Sequence, residues 1–432
     1  MNSKAWWTIT LWAGALLGCL NLAHLIYGDF FHPYMHQTTD FLSSSYVAGS
    51  IVLKGEFHSL YPSAKSYDAF AVISRSLLPQ LPSHLVPNWQ YPPPAALAYS
   101  IFALCSPLAA LVIWQSVNYL CLYLSCLAFS RIFATIRPWQ IFLLSCTFFP
   151  IAYMLKTGSA GIVFGLFPIA LALWQNAQAR PFIAGLCLSL CLLTVKYLPV
   201  ALFLGTLLAI IQYRQLAAGL AAGLLCLAAA PLLLMAPYTW TDWLQSMAAA
   251  EHYYSFDSDI QHNMYLHVAL PAILLSLFSA KSASPIKLII YGIAAIVALH
   301  AFYLGTRVGR ANLPLQTKLA IFVILGFYLM PLVEPHLVFY DLAGLFFANL
   351  LLWLIEWPED IAPKMKGIAL TSWLAVDVYF IAFAFLSSSS INPAFLTALL
   401  GILYIQLLLQ FRKLIAAGKQ KNGRPVHTTP LD

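Results

Sequence analysis

Charge is what this sequence has least of. Only 9% of the 432 residues are Asp, Glu, Lys or Arg, against 61% hydrophobic. A soluble chain of this size cannot cover that much apolar surface, so lipid must cover much of it. A soluble globular enzyme is excluded, and an all-α polytopic membrane protein is expected. Nucleotide-binding signatures are also missing: no G-x-x-x-x-G-K-[ST] and no G-x-G-x-x-G occurs. No C-x-x-C pair exists among the eight cysteines, which sit almost entirely in apolar runs. Cys187 and Cys191 are four apart and Cys121 and Cys126 five apart, with no His at ligand spacing, so all are read as inert buried thiols. The net charge of +7 is spread along the chain apart from a basic C-terminal tail, which argues against a nucleic-acid partner. No small-residue cleavage site follows MNSKAWW, so the first apolar run reads as an uncleaved span.

About 20 apolar residues cross a bilayer. Twelve stretches qualify or nearly do: 6–27, 108–130, 139–155, 160–176, 181–197, 199–213, 216–236, 286–306, 318–332, 336–355, 367–386 and 392–411. With the N-terminus in the cytoplasm, twelve crossings return the C-terminus there. Fifteen of the 22 lysines and arginines then fall in cytoplasmic segments, as the positive-inside rule requires. Residues 264–280 are read as lying along the outer face, because only then does TRVGRANLPLQTK fall inside. Asp29, Asp40, Glu56, Asp68, Asp242, Glu251, Asp257, Asp259 and Glu334 fall outside, so the polar chemistry is expected on the extracytoplasmic side of a cell (inner) membrane.

Two outer segments stand out, about 28–107 and 237–285. The first is far longer than a connection between two helices needs, and too apolar and aromatic for disorder. Within it SYDAFAVISRSLLPQL has a helical apolar period, and Tyr91-Pro92-Pro93-Pro94 forces an extended entry into the next helix. In the second, Trp240, Trp243, Tyr253 and Tyr254 suit either a headgroup-level belt or stacking on a sugar. Residues 1–411 are expected to form one transmembrane domain, followed by a basic cytoplasmic tail, 412–432.

Asp40-Phe41, Tyr46, Ala48-Gly49, Leu53, Gly55 and Leu60-Tyr61, in that order, resemble the first outer loop of the GT-C glycosyltransferases of family 87. Tyr91-Pro92-Pro93 with Trp114 and Asn118 resembles that family's YPP segment and the helix after it. Lys156-Thr157-Gly158, Ala184-Gly185-Leu186 with Lys196 and Pro199, and Pro335, His336, Tyr340, Asp341 and Leu342 resemble later elements. Ser159 and Gly161 depart from the pattern, and His262-Asn263-Met264 matches only loosely an Asn-x-Ser element. The resemblance implies a GT-C fold with about 12 transmembrane helices and amphipathic helices in the large first outer loop. It implies transfer, with inversion, of a hexose, commonly mannose, from a polyprenyl-phosphate donor to an envelope lipid or glycan acceptor. No cofactor or metal is then expected, because the lipid phosphate leaves as a monoester anion.

An inverting transfer needs a carboxylate to take the acceptor's proton and donors to hold the departing phosphate. Asp40 is the candidate general base, with helix capping as its other reading and Asp29 as its rival. Lys196 and Lys156 are candidates for the donor phosphate, or for snorkelling to headgroups. His336, beside Glu334, is a candidate donor to phosphate or acceptor, and Tyr91, Tyr46 and Asn263 are expected at the substrate through the resemblance. Asp341 and Asp377 are expected inside spans, the first with a polar partner. Asp257-Ser258-Asp259 is a D-x-D without a nucleotide fold, and His252, His262 and His267 lack zinc spacing as a set, so no metal site is assigned. A secondary transporter and an envelope-glycan polymerase or ligase are the alternatives. No internal repeat supports the first, and no arginine-rich late outer loop the second.

Overall fold

The computed structural model describes residues 3–31, 40–61, 67–79, 89–133, 136–211, 214–256, 268–276, 283–334, 337–385 and 393–422. These described residues form 18 α-helices and no strand. Helix α1 (Ser3–Ile26) is followed by a compact segment holding α2 (Val47–Lys54), α3 (Tyr67–Leu77) and α4 (Pro93–Ser100). Then come α5 (Pro107–Phe133), α6 (Pro138–Thr147), α7 (Phe149–Thr157), α8 (Phe167–Ala177), α9 (Pro181–Ser189), α10 (Leu198–Ile211) and α11 (Arg214–Leu234). A second excursion carries α12 (Tyr238–Phe256) and α13 (Leu270–Ser276). The chain ends with α14 (Ala283–Arg310), α15 (Leu315–Val333), α16 (Gly344–Leu354), α17 (Ala362–Phe385) and α18 (Pro393–Asn422).

The twelve crossings expected from the sequence are confirmed in part among the described residues. By length and composition, six helices among the described residues can cross a membrane, lying in α5, α11, α14, α15, α17 and α18; counting α6 and α7 as one broken span makes seven. Of the other expected stretches, the first falls on α1, and four fall on shorter apolar helices of 10–17 residues: Ile162–Ala177, Pro181–Leu193, Leu198–Ile210 and Phe339–Leu354. Proline is the reason for several breaks. Pro138, Pro150 and Pro181 each stand in the first turn of a new helix, where the missing N–H is harmless and the fixed φ helps. Hydropathy alone reads through such breaks. Two further boundaries moved: α18 continues to Asn422, into the expected tail, and the stretch 181–197 stops being helical after Leu193. Of residues 264–280, the described part forms the seven-residue α13, too short to cross.

Two apolar clusters hold the chain together. The larger joins α5–α10 to α14–α18. The smaller is built on the segment after α1, where Phe41, Tyr46, Trp89, Tyr99 and Trp114 are buried together. The amphipathic stretch expected there is α3, which buries Phe70 and Ser74. Pro92 is extended (ψ 162°) and α4 begins at Pro93, as the Tyr-Pro-Pro-Pro run predicts. Helices α9 and α11 touch through their backbones: a Cβ on Gly219 would run into the Phe182 carbonyl, and one on Gly185 into the Leu216 carbonyl. The indoles of Trp240 and Trp243 donate to the carbonyls of Ala228 (3.1 Å) and Gln90 (3.0 Å), so both tie α12 to its neighbours.

Candidate active site

Asp40 opens a π-helical turn over Phe41–Tyr46, an element enriched at functional sites. Its carboxylate does not cap that turn. It accepts a hydrogen bond from the Tyr340 hydroxyl at 3.0 Å instead, across 300 residues of sequence. The next residue anchors it. Phe41 stacks on Trp114 at 5.1 Å and 7°, and the Trp114 indole donates to the Gly158 carbonyl at 2.7 Å. Gly158 ends α7 with φ +67°, and a Cβ there would press on Phe41 at 3.0 Å and on Trp114 at 3.3 Å. Glycine is therefore needed twice at this position, for its φ and for the close approach.

Lys196 follows Val195, a β-branched residue held at φ +56°, a backbone region such residues rarely adopt. From this turn the Lys196 ammonium donates to Asp341 Oδ2 at 2.8 Å. The same oxygen accepts the Val338 N–H at 3.0 Å, and the Tyr197 hydroxyl donates to the Asp341 carbonyl at 3.1 Å. Asp341 is buried, whereas Lys196 is partly open. The Lys196 ammonium also lies 5.2 Å from the centre of the Tyr340 ring, a cation–π distance. Tyr340 thus touches both halves of the site: its hydroxyl holds Asp40 and its face supports Lys196.

Electrostatics tie the group together. Burial pushes the Asp40 carboxyl above the ordinary carboxylate range, Lys196 and the Tyr340 hydrogen bond pull it back, and Asp341 adds a smaller upward push. Glu334, buried just beyond α15, is pushed up to about 8 by burial and then by Asp341, with Lys196 opposing. Tyr91 has its phenol pushed well up by burial and then by the charges of Asp40 and Asp341. The arrangement pairs a carboxylate able to accept a proton with an ammonium able to meet an anion.

The other candidates are less central. Tyr46 spends its hydroxyl on the Cys105 carbonyl at 3.0 Å, and so braces the Phe41 cluster. Lys156 is exposed on the last turn of α7. Asn263, His336, Asp257, Asp259, His262 and His267 lie outside the described residues, as do the side chains of Asp29, His252, Tyr253 and Tyr254. Among the described residues, no three His, Cys, Asp or Glu side chains stand together as metal ligands. Sequence reasoning named Asp341 without identifying Lys196 as its partner, and it missed Tyr153, whose ring stacks on Tyr340 at 5.7 Å and 17°. Only the spacing of Phe149 and Tyr153, four apart across Pro150, hinted at a ring row.

No curated protein and no solved structure matches this chain. The model of one family does, described as glycosyltransferase family 87, over residues 89–335. That stretch is more than half of the 432 residues and contains Tyr91, Trp114, Gly158 and Lys196, while Asp40, Tyr340 and Asp341 flank it. The same family was reached from the order of short motifs and from the model match, and the chain is a member of glycosyltransferase family 87.

Proposed function

We propose that this membrane glycosyltransferase moves a hexose, with mannose the first candidate, from a polyprenyl-phosphate donor to an envelope lipid or glycan acceptor. The observation that carries the reading is the shared contact at Tyr340: its hydroxyl on Asp40 (3.0 Å) and its ring by Lys196 (5.2 Å). An acceptor hydroxyl attacks the anomeric carbon while Asp40 takes its proton. The bond from that carbon to the phosphate oxygen breaks, its electron pair leaves with the lipid phosphate, and the configuration inverts. Lys196 offers that phosphate a cation while it stays paired with Asp341. A raised Asp40 suits a proton acceptor at neutral pH better than an ordinary surface carboxylate.

In this reading the acidic site groups lie on the extracytoplasmic side of a cell (inner) membrane, with both termini cytoplasmic; the bias of lysine and arginine toward the other side supports it. Nucleotide sugars are not expected there, which favours a lipid-borne donor. Residues 1–411 serve as one catalytic domain in this reading.

The test supplies purified protein with polyprenyl-phosphate hexoses and extracted envelope lipids and follows glycosylated product by mass spectrometry. Wild type is expected to form product. Asp40→Asn is expected to fold, insert and lose on the order of 10²–10⁴-fold in rate, the usual contribution of a general base. Normal transfer by Asp40→Asn would remove the assignment of the base, and no product from any lipid-phosphate hexose would remove the donor.

A further inference from the structure

Helix α7 turns away from α6 by 84° at Phe148. At that break the Phe149 N–H donates to Oδ1 of Asp377 at 3.0 Å. Asp377 lies on α17, a helix long and apolar enough to cross the membrane, where a carboxylate is costly and calls for a role. The broken helix supplies part of one: its first N–H groups have no partner within the helix, and lipid offers none. A carboxylate satisfies one of them and suits the helix dipole.

The contact does not end there. Phe380, on the same face of α17 as Asp377, stacks on Phe149 at 4.4 Å and 7°. Phe149 stacks on Tyr153 at 6.1 Å and 20°, and Tyr153 on Tyr340 at 5.7 Å and 17°. The Tyr340 hydroxyl then donates to Asp40. A column of four rings therefore runs from α17 through α7 to the carboxylate proposed as the base, and Asp377 secures the helix that carries its two middle rings.

We propose that Asp377 is a positioning residue of the transfer reaction: by holding the start of α7 it fixes the ring column that sets the Tyr340 hydroxyl against Asp40. The inference rests on the reading of Asp40 as base given above. Asp377 touches no substrate in this account. Its effect passes through one bond, Tyr340 to Asp40, whose loss has a defined consequence. The titratable groups around Asp40 are Lys196, Asp341, Tyr91, Tyr99 and Tyr340. Of these, Tyr340 is the group the ring column reaches, and its hydrogen bond lowers the Asp40 value.

Three variants test this in full-length protein in lipid: Asp377→Leu, which removes the acceptor; Asp377→Asn, which keeps a carbonyl oxygen; and Phe380→Leu, which breaks the column and leaves the cap. Asp377→Leu and Phe380→Leu are expected to lower kcat, on the order of 10²-fold at most for a displaced reacting group, with little change in donor KM. In both, the acid limb of the pH–rate profile should move to higher pH, because Asp40 without its hydrogen bond protonates more readily. Asp377→Asn should behave as wild type. Hydrogen exchange of residues 149–157 and 339–343 should quicken in Asp377→Leu. An unmoved acid limb in both leucine variants would reduce Asp377 to a structural cap and overturn the proposal, as would unchanged exchange at 339–343. If wild type makes no product, the reading of the reaction fails separately, and exchange at 339–343 alone decides whether Asp377 governs the Tyr340 segment.

Discussion

Lys196 and Asp341 meet at 2.8 Å with only Asp341 fully buried. Removing one partner of a buried pair leaves an uncompensated charge and costs about 3–5 kcal/mol; removing both costs far less. Lys196→Met is therefore expected to lower the unfolding midpoint clearly, and Lys196→Met with Asp341→Asn to recover most of it. Donor KM should rise in both, because neither offers the phosphate a cation. Recovery of donor use in the double variant would reject the phosphate contact. Glu334 gives a second residue-scale expectation. Its carboxyl shifts from 4.5 when free to about 8 in the fold. The folded state then holds the proton more tightly than the unfolded one, so stability is greatest below about pH 4.5 and is lost as pH rises toward 8. Thermal unfolding across that window should show the loss in wild type and a flatter curve in Glu334→Gln. At this scale the sequence pointed to Lys196 as an ionisable residue at a span's end, and to Asp40 chiefly through the resemblance of its segment to the family's first outer loop. It did not announce Tyr340 as the group joining them, because a tyrosine among apolar residues looks like core.

Helix α7 shows what was hidden at the scale of elements. FFPIAYMLK reads as the end of one apolar span over 139–155, yet the chain starts a new helix at Phe149 and stops it at Gly158. Proline placement signals such a break, but neither its 84° angle nor the Asp377 carboxylate, 228 residues away, that accepts the Phe149 N–H. The extended approach to α4 and the amphipathic α3 were legible because local chemistry, prolines and apolar period, decides them. At the end of α7, Gly158→Ala would place an alanine at φ +67° and a methyl against Phe41. The left-handed backbone alone costs roughly 1–2 kcal/mol. This variant is expected to unfold earlier in a thermal scan and also to turn over more slowly, since Phe41 carries Asp40. Loss of stability with full turnover would separate Gly158 from the site.

Across the whole molecule, composition sufficed for the class, and family membership makes the chain a membrane glycosyltransferase, not the transporter held as the alternative. The count of crossings was less legible, because hydropathy measures apolar length and not where a helix stops. That shortness has a consequence for the surrounding lipid. Lys196 sits between α9 and α10, whose Phe182, Ile183, Leu202 and Ile210 face outward. Helices of 10–17 residues reach roughly 15–26 Å, against a hydrocarbon thickness of about 30 Å. A bilayer meeting such a wall must thin, which brings headgroup phosphates down toward Lys196. Reconstituted enzyme is therefore expected to work faster in short-acyl-chain vesicles than in long-chain ones at equal donor, and a rate indifferent to acyl length would show that the donor descends to the site without the membrane's deformation.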